Sequence, residues 1–196
     1  MTRIVAIGEC MVEMAPVATE GQFRLGYAGD TLNTAWYLRR LLGASDQIDY
    51  FTAVGTDAVS DKMIDFLQQA GIGTTCILRR DDKGVGLYMI QLQDGERSFS
   101  YWRSDSAART LAADPGPLHA ALDGADLAYF SGITLAILPP ADRSRFLTVL
   151  RRFRSGGGIV AFDPNLRPKL WASPDEMSHV VMQAAAVSDI ALPSYD

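Results

Sequence analysis

Gly26-Tyr27-Ala28-Gly29-Asp30-Thr31-Leu32-Asn33-Thr34-Ala35 is the stretch whose reading decides the fold. Two glycines, small polar residues and an amide stand directly ahead of a helical pattern, which is the make-up of a ligand-facing junction between an extended segment and a helix. Asp30 is placed to cap a helix running to about Leu42. Leu32, Ala35, Trp36 and Leu42 fall near one face of that helix, and Gly43 supplies its C-terminal stop.

On the N-terminal side of this junction, Arg3 to Gly8 (RIVAIG) is a short, β-branched apolar run ending in glycine, which suits a buried parallel strand. Between Glu9 and Tyr27 the pattern is irregular, with Pro16, Gly21 and Gly26 separating small, partly exposed strands. On the other side, Tyr50 to Val54 reads as a strand, Gly55-Thr56-Asp57 as a turn and Ser60 to Ala70 as a helix closed by Gly71. Cys76 to Arg79 starts another strand. Gly86 to Gln93 and Arg97 to Tyr101 flank Asp94-Gly95-Glu96, a hairpin signal, since Gly95 can take the positive φ such turns need. This hairpin is the natural partner of the strands before Tyr27, making a minor β layer.

Strand and helix alternate again after short helical pieces from Ser106 to Leu122. Leu127 to Ser131 is a strand, and Pro139 to Phe153 a helix with Pro140 in its first turn. Phe146, Val149, Leu150 and Phe153 repeat at the spacing of one buried face. Ile159 to Asp163 is the next strand. Ser173-Pro174-Asp175-Glu176 has the form of a capping box for a helix to about Ala186, and Asp189 to Leu192 begins a last strand. Repeated strand-helix units predict a mostly parallel sheet with helices on both faces, joined by right-handed crossovers. The last strand has no helix after it, so the chain is expected to stop in mid-fold with a sheet edge that a complete protein would cover.

Composition sets outer limits. The chain has 196 residues, 48% of them hydrophobic, and a net charge of −5, which disfavours general nucleic-acid binding. Arg151, Arg152 and Arg154 form a local basic cluster, explained by the dipole at a helix end. No apolar run approaches the roughly 18 to 20 residues that span a bilayer, and the N-terminus lacks a signal-peptide pattern, so a cytoplasmic address is expected. Cys10 and Cys76 lie far apart with no metal-ligand spacing, and His119 and His179 sit inside helical patterns, leaving little for a zinc site or a His-based triad.

In an open α/β sheet ligands bind at the carboxyl ends of strands, which points to the segments after Gly8, Val54, Ser131, Asp163 and Leu192. Neither a Walker A sequence nor a GxGxxG between strand and helix occurs. Asp163-Pro164-Asn165-Leu166-Arg167-Pro168 puts an acid, an amide and an arginine just past a strand. Arg167 there could fork onto phosphate, or the stretch could be a Pro-rigid turn with Asp163 capping local amides. Phe99-Ser100-Tyr101-Trp102-Arg103 is an aromatic strand end with a cation, and Tyr88 lies on the opposing strand. Such groups can bind sugar hydroxyls and a carboxylate, or pack across strands.

Six stretches in this order carry a resemblance: IVAIGECMVEM at the start, Ala28 to Ala35, Thr52 to Asp57, Tyr101-Trp102-Arg103, Ser131 to Leu138, and Asp163 to Trp171. Together they resemble the ribokinase-like (PfkB) carbohydrate kinases across essentially the whole chain. The resemblance implies a three-layer α/β/α fold with a mostly parallel central sheet and a small β-lid from roughly residues 10–28 and 86–103. It implies transfer of the ATP γ-phosphoryl group, with Mg2+, to 2-dehydro-3-deoxy-D-gluconate, giving the 6-phosphate. Gly29, Asp30, Thr31, Leu32 and Asn33 would hold the sugar, with Tyr88, Tyr101, Trp102 and Arg103 closing from the lid and Arg103 facing the substrate carboxylate. Asn165, Leu166, Arg167 and Ser194 would lie on the nucleotide side.

The family's glycine-rich helix start, whose aspartate is the catalytic base, its Asn-x-x-Glu metal motif and its adenine pocket would all fall past Asp196. By that resemblance residues 1–196 form an incomplete domain, inactive alone; a paired hairpin lid with an apolar face suits association across a two-fold axis, so the intact protein is expected to be a homodimer, and the charge and hydropathy lead to no expected nucleic-acid or membrane partner. Kinases of other sugars, such as fructose or ribose, and a non-catalytic sugar-binding module share most of these features.

Overall fold

Strand β1 (Arg3–Ile7) alternates its side chains between two apolar layers, and that alternation organises everything around it. Val5 and Ile7 enter one core, Ile4 and Ala6 the other. The computed structural model describes residues 1–93 and 96–193. β1 is flanked in parallel by β4 (Gln47–Phe51) and β9 (Leu127–Ser131), then β10 (Ile159–Asp163) and β11 (Ile190–Ala191), in the order β11-β10-β9-β1-β4.

Helices α1 (Asp30–Leu41) and α2 (Ala58–Gln69) cover one face, packing Leu32, Ala35, Met63 and Leu67 onto Ile48, Tyr50, Tyr129 and Ala161. Helices α3 (Pro115–Leu122), α4 (Gly132–Ile137), α5 (Pro140–Ser155) and α6 (Pro174–Ala186) supply the other core, where Phe130 stacks on Phe162 and meets Phe146 edge-on. Three layers result, as the strand-helix alternation predicts.

Beside them stands a second, four-stranded sheet ordered β3-β2-β7-β8, from β2 (Met11–Pro16), β3 (Phe23–Ala28), β7 (Leu87–Gln93) and β8 (Glu96–Trp102). It is the minor layer expected from the hairpin and the short early strands. The expected turn at Asp94 and Gly95 lies outside the described residues, as does Ser194.

Local departures from the sequence reading have local causes. The single strand expected from Tyr50 to Val54 is two: β4 ends at Phe51, and β5 (Ala53–Gly55) leaves the central sheet to pair with β6 (Leu78–Arg80). The Thr52 carbonyl accepts from Leu78 N at 2.9 Å, so a distant strand sets the break. Gly29, not Asp30, is the N-cap of α1; Asp30 is its first residue, with Oδ1 accepting from Thr31 N at 2.8 Å. Asp57 caps α2 by accepting from Val59 N and Ser60 N. Half of the capping box at α6 forms: Ser173 Oγ accepts from Glu176 N at 3.1 Å, while the Glu176 carboxylate reaches back to Ala172 N and pairs with Arg143.

Candidate functional site

At the carboxyl ends of β1, β9 and β10 the chain packs backbone against hydroxyls. A side chain on Gly8 would lie 2.4 Å from Thr31 Oγ1 and 2.9 Å from Thr134 Oγ1, so the turn after β1 depends on glycine. Thr134 Oγ1 donates to the Ile7 carbonyl at 3.0 Å, and Thr31 Oγ1 bonds the Tyr50 hydroxyl at 2.9 Å. Thr31 and Leu32 are therefore interior side chains. Gly29 has an internal reason as well: a Cβ there would sit 2.2 Å from the Glu9 carbonyl oxygen.

On this turn Gly29, Asp30 and Thr34 are half-buried and Asn33 is exposed. Asp30 Oδ2 accepts from Asn165 Nδ2 at 2.8 Å across 135 positions of sequence, and Asn165 N donates to Asp163 Oδ1 at 2.9 Å. Asn165 holds φ at +34°, a conformation rare for residues other than glycine, and its two side-chain and backbone bonds keep it there. The junction at Gly29 and the stretch after β10 are thus one polar cluster. Partial burial, with the nearby Asp30 charge, pushes the Asp163 carboxyl above its ordinary range against the opposing hydrogen bond from Asn165. Burial likewise pushes the Tyr129 phenol up to about 12, although its oxygen accepts from Thr34 Oγ1 at 3.1 Å. Leu166 and Arg167 are exposed, with Arg167 Nη1 donating to the Leu166 carbonyl at 2.7 Å.

The side sheet brings a second group. Its register places Tyr88 opposite both Glu13 and Tyr101 on one face, and the Tyr88 hydroxyl donates to Glu13 Oε2. Tyr88, Phe99 and Tyr101 form an aromatic cluster with ring centroids 5.9 to 6.2 Å apart. Trp102 pairs with Leu87, so alternation turns it to the opposite face from Tyr88 and Tyr101.

Arg103 turns inward. Its Nη2 pairs with Glu9 Oε2, and Ser106 Oγ donates to Glu9 Oε1 at 2.5 Å. Burial raises the Glu9 carboxyl, with Arg103 and Ser106 opposing it. Glu9 and Glu13 were not singled out from sequence. Two acids four residues apart in Gly8-Glu9-Cys10-Met11-Val12-Glu13 are the local signal, since their partners lie 94 and 75 positions away.

A parallel α/β sheet with a polar cluster at its strand ends and an aromatic, cationic side sheet attached there defines the class of α/β proteins that hold a small polar ligand outside the carboxyl edge of the sheet. Residues 1–196 match the pfkB family carbohydrate kinases, and the chain belongs to that family.

It is 43% identical over 198 residues to a 2-dehydro-3-deoxygluconokinase of Dickeya dadantii, covering 98% of this chain and 63% of that protein. The chain spans 63% of the length of the curated relatives it matches at 38% to 43% identity. The fold superposes with a TM-score of 0.86 on a 2-dehydro-3-deoxygluconokinase of Thermotoga maritima, at 23% identity, covering 98% of this chain and 60% of that one. An ATP-bound fructokinase of Xylella fastidiosa matches with a TM-score of 0.82 at 25% identity, covering 96% and 56%. Among the described residues no helix is long and apolar enough to cross a membrane.

Proposed function

We propose that the protein transfers the γ-phosphoryl group of ATP to 2-dehydro-3-deoxy-D-gluconate, forming the 6-phosphate. The observation that carries this reading is an unbroken chain of contacts from lid to sheet end. Arg103 pairs with Glu9, the Glu9 carbonyl abuts Gly29, Asp30 follows Gly29, and Asn165 bonds Asp30. A cation, a carboxylate and an amide in one row suit an acceptor that carries both an acid group and hydroxyls. The sugar-acid kinases named among the relatives point the same way.

Phosphoryl transfer depends on positioning and on offsetting charge. In this reading Asp30 and Asn33 take the sugar's hydroxyls, and Tyr88, Tyr101 and Arg103 close over it from the β-lid, with Arg103 on the carboxylate. Asn165 and the exposed Arg167 lie toward the transferred phosphoryl group, where a guanidinium offsets developing charge. Leu166 contributes backbone there, and Ser194 belongs to the nucleotide side. Among the described residues no group of three or more His, Cys, Asp or Glu side chains could hold a metal ion. In this reading Mg2+ accompanies the nucleotide as its counter-ion. No general base is assigned among residues 1–196. A cytoplasmic address and a homodimer joined through the side sheets complete the proposal.

Kinetics of the natural full-length protein test it. The sugar acid should exceed fructose and ribose in kcat/KM by about a hundredfold or more. Preference for a neutral sugar would overturn the substrate, and absence of ATP-dependent turnover with any sugar would overturn the activity.

A further inference from the structure

The Glu9–Arg103 pair is oddly incomplete. Arginine and carboxylate usually meet with two parallel hydrogen bonds. Here Arg103 Nη2 takes Glu9 Oε2, but Oε1 is occupied by Ser106 Oγ at 2.5 Å. The neighbouring donor, Arg103 Nε, is buried and has no hydrogen-bond partner among the described residues. A buried donor left unpaired is costly, yet rotating Ser106 away would let Oε1 close the fork. The arrangement also has space cut for it, because a Cβ on Gly86 would lie 2.9 Å from Glu9 Oε1 and 3.2 Å from Arg103 Cβ. Positions 9, 86, 103 and 106 are thus shaped around a guanidinium gripped by one corner.

We propose that Glu9 is a positioning residue for sugar-acid specificity: it pins Arg103 by Nη2, Ser106 keeps the second oxygen from closing the fork onto the buried Nε, and the edge of the guanidinium turned away from Glu9 is left for the substrate's carboxylate. This rests on the phosphorylation reading above. Glu9 itself is 3% exposed, so in this role it acts only through Arg103. Ser106 is 4% exposed and is the lock on the orientation. The charges alone argue the other way, since a carboxylate beside Arg103 weakens its pull on an anion. Positioning and charge dilution therefore predict opposite signs for the loss of Glu9's charge.

Steady-state kinetics of the natural full-length protein, with 2-dehydro-3-deoxy-D-gluconate and its C1 amide as alternative substrates, separate them. Glu9→Gln should raise KM for the acid about tenfold, with kcat changed about twofold or less and KM for the amide unmoved. Ser106→Ala frees Oε1 to close onto Nε, and should raise KM for the acid about three- to tenfold with the same indifference to the amide. A lower acid KM in Glu9→Gln, or equal shifts for acid and amide in both variants, overturns the positioning role. If Glu9→Gln does not fold, Ser106→Ala decides by the same criterion. Arg103→Ala is the reference: if it fails to distinguish acid from amide, the sugar-acid reading itself falls. If it does distinguish them while the other two variants do not, only the role of Glu9 falls.

Discussion

The two sheets of this protein are built on opposite terms. In the central sheet, Val5, Ala6, Ile7, Phe51, Ala128, Phe130, Val160 and Phe162 are almost wholly withdrawn from solvent. In the side sheet, Leu25, Leu92, Phe99, Tyr101 and Trp102 are half exposed or more, except Phe99 at 47%. A parallel sheet buried on both faces is a rigid platform, and a thin mixed sheet with half-exposed side chains on both faces is held mainly at its junctions. One of those junctions is the Glu9–Arg103–Ser106 grip; another is Tyr27 packed on Phe66 of α2, with ring centroids 5.2 Å apart. Rigidity sits where the phosphoryl group would be handled, and adaptability where the acceptor's shape would be sensed.

This contrast can be broken most directly in the core. Phe130→Ala, which empties a site between Phe146 and Phe162, should cost about 3–5 kcal/mol by denaturant unfolding. Gly29→Ala tests the seam between the two regions. Its methyl group would press on the Glu9 carbonyl, and we expect a loss of about 1–3 kcal/mol. A neutral result would mean the seam yields freely.

Asp57→Ala removes the cap of α2 and should cost about 1 kcal/mol at neutral pH. Burial opposes the Asp57 charge, but hydrogen bonds from Ser60 and Val59 outweigh it and hold the carboxyl below its ordinary range. A depressed folded-state value stabilises the fold above the unfolded carboxylate's pKa and loses that contribution as pH falls through the folded one. The difference between wild type and variant should therefore narrow below about pH 4. Trp102→Ala at the half-exposed end of the side sheet should change stability by less than about 0.5 kcal/mol. A cost near that of Phe130→Ala would show the side sheet to be part of the same cooperative unit.

Most of the platform was legible in the sequence because its strands are short apolar runs between glycines and its helices carry caps. Ser173 and Pro140 announce α6 and α5 by local chemistry, whereas Asp57 reads as part of a turn and is in fact the cap of α2. Helix α4 escaped because GITLAI is apolar all round and largely buried, so it shows no helical period, and its capping partner is Thr134 rather than an acid. The break at Thr52 escaped because β6 imposes it from outside. The candidate site was legible as separate pieces. Asp30 and Asn165 were both visible, but their bond was not, nor was the inward turn of Thr31, because both follow from how the layers close.

Gly132 carries a last consequence. It opens α4, and a Cβ there would sit 1.9 Å from the Pro164 carbonyl oxygen, one residue before Asn165. Any side chain at 132 must displace that carbonyl and, through it, the amide that clasps Asp30. A mutational scan of activity should therefore flag Gly132 as strongly as a ligand-binding position, although it offers no side chain to a ligand. In this protein, intolerance at a position measures how tightly two loops are wedged together as well as what they touch.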